Sequence, residues 1–250
     1  MLQSVIDSLP DRSAYPELAR ARVLVTGLSP RTGVDIARAF ADQGARLVLQ
    51  MQDDSIESQT LLEVLARTAD EVRVFPSPFA DQETAVAFAQ KAAAAYGGLD
   101  VVVNLIALPD TALADGVTVQ QIEDIVAARL GPACLITRIA ANRMRLTWTN
   151  GLVLNVLAAA RPSSSRQAAL GSIARAALAT MTRAEALAWA GEGVRINAVG
   201  PRDAAPMATP ARGLRGEPDI AALALFLASA RGRDLTGHVF DLDQVASGCR

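Results

Sequence analysis

The chain has 250 residues, 51% hydrophobic and 20% charged, with a formal net charge of -2 and a pI near 5.5. That size and apolar fraction allow one globular domain with a sizeable core, and the balance of charge offers no basic face for nucleic acid or for an anionic membrane surface. Cys134 and Cys249 lie far apart and His238 is the single histidine, which excludes a zinc cluster, and no stretch reaches the roughly 18 apolar residues of a membrane span.

The first residues, MLQSVIDSLPDRSAYPELAR, carry acids where a secretion signal needs a basic and then an apolar stretch, so a cytoplasmic protein with reduced thiols is expected. Residues 1–18 read as an arm and 19–250 as one domain. Within it the β-branched apolar runs ARVLVTG, RLVLQM, EVRVF, LDVVVNLIAL, GLVLNVLA, GVRINAVG and HVFDLD follow in chain order. Between them lie TGVDIARAFADQG, SQTLLEVLARTAD, DQETAVAFAQKAAAAYG, the long VTVQQIEDIVAARLGPACLITRIAANRM, the segment 165–191 and EPDIAALALFLAS, each with apolar positions at helical spacing. Nearly continuous apolar strands alternating with helices predict an α/β, Rossmann-like doubly wound domain, a seven-stranded parallel sheet covered by helices on both faces. The proline-rich piece from Pro201 to Pro218 reads as a surface loop.

In such a sheet a ligand sits at the carboxyl ends of the strands, and the first strand-to-helix turn carries glycines so that backbone N–H groups reach a pyrophosphate. Here that turn is VTGLSPRTGVDIA. It resembles the turn of the short-chain dehydrogenase/reductase family, TGxxxGxG: Thr26, Gly27 and Gly33 match, and Arg31 stands where the middle glycine belongs. The resemblance continues in LDVVVNLIA (99–107), similar to LDVLVNNAG, in GLVLNVLAAA (151–160), in GVRINAVGP (193–201), and in 217–243, the segment that ends the family fold.

Carried over position by position, the resemblance implies a vacated active site. The family serine that hydrogen-bonds the substrate carbonyl falls on Ala158, the tyrosine acid/base on Gly171, the lysine that lowers its pKa on Arg175, and the proton-relay asparagine on Ala128. Glycine has no titratable atom, so a proton-transfer contribution of about 10²- to 10⁴-fold is absent. Arginine keeps a charge but is never a usable proton donor near neutral pH. One lysine (Lys91), one histidine (His238) and two tyrosines (Tyr15 and Tyr96) leave very few candidates for proton transfer, and none of them falls at these positions. Ser163, Ser164 and Ser165 have no base near them and read as a helix N-cap. Asn104 reads as a tether between elements, and Cys134, mid-helix, as core.

The cofactor positions are altered in the same way. Met51 stands where an acid grips the ribose of NAD, although Asp53 and Asp54 follow closely. Pro78 replaces an adenine-binding aspartate, and the run from Pro201 through Arg202 and Asp203 to Pro206 lacks the threonine that meets the nicotinamide amide. The stretch before EPDIA is also shorter than the family's lid. Several lost contacts at roughly 1–3 kcal/mol each turn a micromolar site into a millimolar one or worse. Gly27 and Gly33 then serve a tight turn and close packing.

The expectation is a fold kept without its chemistry: no catalytic residue, no cofactor bound by this chain and no metal. Family members commonly associate through their fourth and fifth long helices, and here the fifth is rich in small residues, among them Ala168, Ala169, Ala174 and Ala177. A non-catalytic subunit is expected, paired through those helices as a heterotetramer with an active paralogue that holds NAD and oxidises a hydroxyacyl-CoA-type substrate. The alternative is a free-standing binding or regulatory protein that uses the old cleft, with Arg31 as the grip on a phosphate. An active reductase with relocated residues is the third reading, and turnover by the chain alone would mark it.

Overall fold

The computed structural model describes residues 14–75, 79, 81–109, 118–158, 164–202 and 213–242. Each expected run is a strand: β1 (Arg22–Leu28), β2 (Arg46–Met51), β3 (Glu71–Phe75), β4 (Val101–Ala107), β5 (Leu152–Ala158), β6 (Arg195–Pro201) and β7 (Val239–Leu242). All pair in parallel, in the order β3-β2-β1-β4-β5-β6-β7. The crossovers carry α1 (Val34–Asp42), α2 (Ile56–Ala66), α3 (Gln82–Ala94), α4 (Val119–Leu146), α5 (Ser165–Trp189) and α6 (Glu217–Ala228). The strand order reverses between β1 and β4, which opens a crevice at their carboxyl ends.

The period of two along each strand sorts the core onto two faces. Val23 and Val25 of β1 join Phe40, Ile36, Leu47 and Leu49 beneath α1 and α6, while Leu24 turns the other way to meet Val102, Val153, Ile136 and Met144 beneath α3 and α4. Phe40 is wholly buried, and sealing a side chain of that size from water contributes roughly 1.5–3 kcal/mol.

Two details depart from expectation. Residues 14–18, read as the end of an arm, pack on the domain: Pro16–Leu18 is a 3-10 turn, Leu18 is buried, and the Glu17 carboxylate accepts the Ala230 N–H at 3.1 Å. An apolar side chain this close to β1 gains more by joining the core than by staying in water. Cys134 is half-buried instead of core, because α4 turns Leu130, Ala133, Ile136 and Thr137 inward and leaves residue 134 at their margin. Burial pushes its thiol up, so it is a poor nucleophile.

α4 and α5 pack side by side, joined by Arg138 and Glu185 at 2.6 Å, with the Trp189 indole N–H donating to the same carboxylate at 3.0 Å. Each begins on a hydroxyl cap: Thr118 in a capping box with Gln121, and Ser164 accepting the Gln167 N–H at 3.2 Å. Ser164 is thus the cap that the sequence suggested; Ser163 lies outside the described residues. Among the described residues no helix is long and apolar enough to cross a membrane, and no group of His, Cys, Asp or Glu is placed to hold a metal.

Candidate functional site

The crevice holds two adjoining cavities at the carboxyl ends of β1 and β4. One of about 290 Å³ is walled by Arg31, Gly33, Ala107, Ala158, Glu217 and Leu242; the other, of about 240 Å³, by Thr26, Gly27, Gln50, Gln52, Asn104 and Ala128. The first is largely apolar, and the second is more polar.

Beneath them a buried polar bracket ties the sheet to α4. The Thr26 hydroxyl donates to Asn104 Oδ1 at 3.0 Å, and Asn104 Nδ2 donates to Asn155 Oδ1 at 2.8 Å and to the Thr137 hydroxyl at 3.3 Å. These side chains are at most 3% exposed, so each hydrogen bond satisfies a group that water cannot reach. Asn104 is the tether expected of it.

The positions that the resemblance assigns to catalysis carry Ala158, Gly171, Ala128 and Arg175. Ala158 ends β5 opposite Ala107, with a methyl where a hydroxyl would stand. A side chain added at Gly171 would find its Cβ in open space, with nothing within 4 Å. Ala128 is exposed on α4, four residues before Pro132, which has no N–H to give to the Ala128 carbonyl. Arg175 reaches across Gly200 of β6 and donates to Asp241 of β7 at 2.6 Å. Its charge is held by a carboxylate and is mostly withdrawn from solvent.

The glycine-rich turn keeps its shape. Gly27 and Gly33 have φ of 76° and 88°, a region where L side chains are strained. A Cβ on Gly27 would collide with the Leu105 carbonyl oxygen and one on Gly33 with the Leu105 side chain, so the packing role read from the sequence is the one observed. Ser29 and Thr32 exchange backbone hydrogen bonds at 3.0 and 3.2 Å to close the loop, and Arg31 lies exposed at its tip.

The donors of that turn already have partners within the chain, which sequence reasoning missed. Gln50, wholly buried at the end of β2, accepts the Gly27 N–H at 2.7 Å and donates to the Met51 carbonyl at 2.6 Å. Glu217, the first residue of α6, accepts the Gly33 N–H at 2.9 Å and the Asp35 N–H at 2.7 Å, one on each carboxylate oxygen. It therefore covers the first turn of α1, where the helix dipole and unpaired N–H groups favour an anion. The acid in the first turn of α6 was visible in EPDIA; its reach to a turn 184 residues away was not.

At the ribose position Met51 is 1% exposed and packs in the core. Asp53 instead organises the start of α2, accepting the Ser55 N–H and hydroxyl at 3.0 and 2.7 Å and the Ser58 hydroxyl at 2.5 Å. Those bonds, Ser58 first, hold its carboxyl below the usual carboxylate range. Pro78 and residues 203–212 lie outside the described residues. The remaining proton-transfer candidates stand elsewhere. Tyr96 donates to the Leu47 carbonyl near the start of β2 under the guanidinium of Arg73, Tyr15 packs under Arg231, Lys91 is exposed on α3, and His238 precedes β7 with its ring over Phe240.

Comparison with known proteins bears out the fold. The family described as Enoyl-(Acyl carrier protein) reductase matches residues 32–217. An uncharacterised oxidoreductase of Mycobacterium tuberculosis is 31% identical over 239 residues, covering 88% of this chain and 89% of the relative. Galactitol 2-dehydrogenase (L-tagatose-forming) of Cereibacter sphaeroides is 30% identical over 249 residues, covering 88% and 92%. Among solved structures, a short-chain dehydrogenase/reductase of Burkholderia xenovorans aligns with a TM-score of 0.72 at 23% identity over 94% of this chain and all of its own. A short chain dehydrogenase of Burkholderia cenocepacia in complex with NADP aligns at 0.71 with 20% identity, covering 92% and 99%. Strand order, glycine-rich turn and these relatives agree, and the chain belongs to the short-chain dehydrogenase/reductase family.

Proposed function

We propose that this chain is a non-catalytic subunit of an oxidoreductase of its family, pairing through α4 and α5 with an active paralogue that holds NAD. The observation that carries the reading is the pair on the catalytic helix: Gly171 offers no titratable atom, and Arg175, one turn on, is engaged by Asp241. The relatives include galactitol 2-dehydrogenase and D-threitol dehydrogenase, so oxidation of a CH–OH group is the reaction class of the complex, and its chemistry belongs to the partner. Chain length and the pattern of losses are similar to the non-catalytic subunit of the dehydrogenase that oxidises 2-[hydroxy(phenyl)methyl]succinyl-CoA in anaerobic toluene degradation, which favours a hydroxyacyl-CoA substrate for the complex.

The test is co-expression with an adjacently encoded dehydrogenase that has intact Ser, Tyr and Lys. One complex of heteromeric native mass is expected, and separate elution of the two chains overturns the reading. A second reading, a free-standing protein that binds an anionic ligand, is favoured by Arg31, whose exposed guanidinium has no ion-pair partner among the described residues. Micromolar binding of NADPH or an acyl-CoA to the isolated chain, measured by calorimetry, would move the assignment there.

A further inference from the structure

We propose that Glu217 is an internal counter-anion that closes the first turn of α1 to the pyrophosphate of a dinucleotide, and so determines what the cleft refuses. A carboxylate and a phosphate compete for the same thing at a helix N-terminus, namely N–H groups and a partial positive charge. Here the carboxylate belongs to the chain itself. Its two oxygens each take one N–H, from Gly33 at the cap and Asp35 within the first turn. Glu217 also stands in the first turn of α6, so the positive ends of two helices converge on one negative charge.

Three features make the contact a fixed part of the fold. Pro218 at the second position of α6 sets the backbone, and Asp219 accepts the Arg215 N–H at 2.8 Å, so the loop that presents Glu217 is anchored on both sides of it. α1 and α6 pack closely over a shared core that includes Ile36, Phe40, Ile220 and Ala224. Glu217 also forms part of the wall of the 290 Å³ cavity beside Ala158, so a dinucleotide laid across the turn would bring its diphosphate against a charge of the same sign. Gln50 engages a further backbone donor of the same turn, the Gly27 N–H.

The inference concerns the isolated chain and holds whether or not the chain pairs, so its failure leaves the co-expression test untouched. Inorganic pyrophosphate and NADH are titrated into the full chain and into Glu217→Gln and Glu217→Ala, with calorimetry for affinity and backbone amide spectra for position. The unsubstituted chain is expected to show no saturable binding at millimolar concentration and unmoved Gly33 and Asp35 amides. Each variant is expected to bind at least about tenfold tighter, with those two amides shifting. Glu217→Gln keeps the size and one acceptor, which protects folding. Movement of the Gly33 and Asp35 amides in the unsubstituted chain overturns the proposal, as do variants with unchanged melting temperature and no gain in affinity.

Discussion

Thr26, Asn104, Thr137 and Asn155 are sealed between the sheet and α4 and bond one another at 2.8 to 3.4 Å, whereas Ala158 and Ala128, which line the cavities above, offer no polar side-chain atom. The two layers belong to one crevice but answer to different physics. A buried polar group stripped of its partner costs about 1–3 kcal/mol, while a polar group removed from a wet rim costs the fold almost nothing. Substitution is therefore cheaper at the rim than within the bracket. The bracket stays because the sheet depends on it.

The contrast can be broken or sharpened by three substitutions. Gly27→Ala is expected to cost most, roughly 2–5 kcal/mol, from a strained positive φ and a clash with the Leu105 carbonyl; a urea midpoint within error of the parent would show that the turn has slack. Asn104→Ala comes next, at roughly 2–4 kcal/mol, because Thr26, Thr137 and Asn155 all lose a partner in the dry layer. If that variant unfolds with the parent, the bracket is dispensable and the comparison fails. Gly171→Ala is expected to act the other way, stabilising by about 0.5–1 kcal/mol, since a mid-helix glycine is replaced where the new methyl meets nothing. A lower melting temperature for that variant would mean that the vacancy is filled in solution.

Much of this was legible in the sequence for a physical reason: it is local. Seven apolar runs and their intervening helical periods rest on neighbours in the chain, and each appears as an element near its expected place. The places of Ala158 at the end of β5 and of Gly171 and Arg175 within α5 were readable for the same reason. What stayed hidden acts over distance. Glu217 meets Gly33 across 184 residues, Asp241 meets Arg175 across 66, and Gln50 meets Gly27 across 23. Each of the three is an ordinary polar residue whose pattern signals nothing, and only the packing of α6 on α1 and of β7 beside β6 brings two of them to their partners. Leu18 shows the same limit on a smaller scale: a leucine after a proline reads as tail until the surface that covers it is known.

Met51 constrains any redesign of the cleft. Because its side chain is part of the apolar interior, an acid at that position would strand a carboxylate among Leu28, Leu49 and their neighbours. The nearest acid, Asp53, is committed to starting α2. A carboxylate at position 51 is therefore opposed by the interior itself, and an acidic ribose anchor there would need a second change in the packing around it.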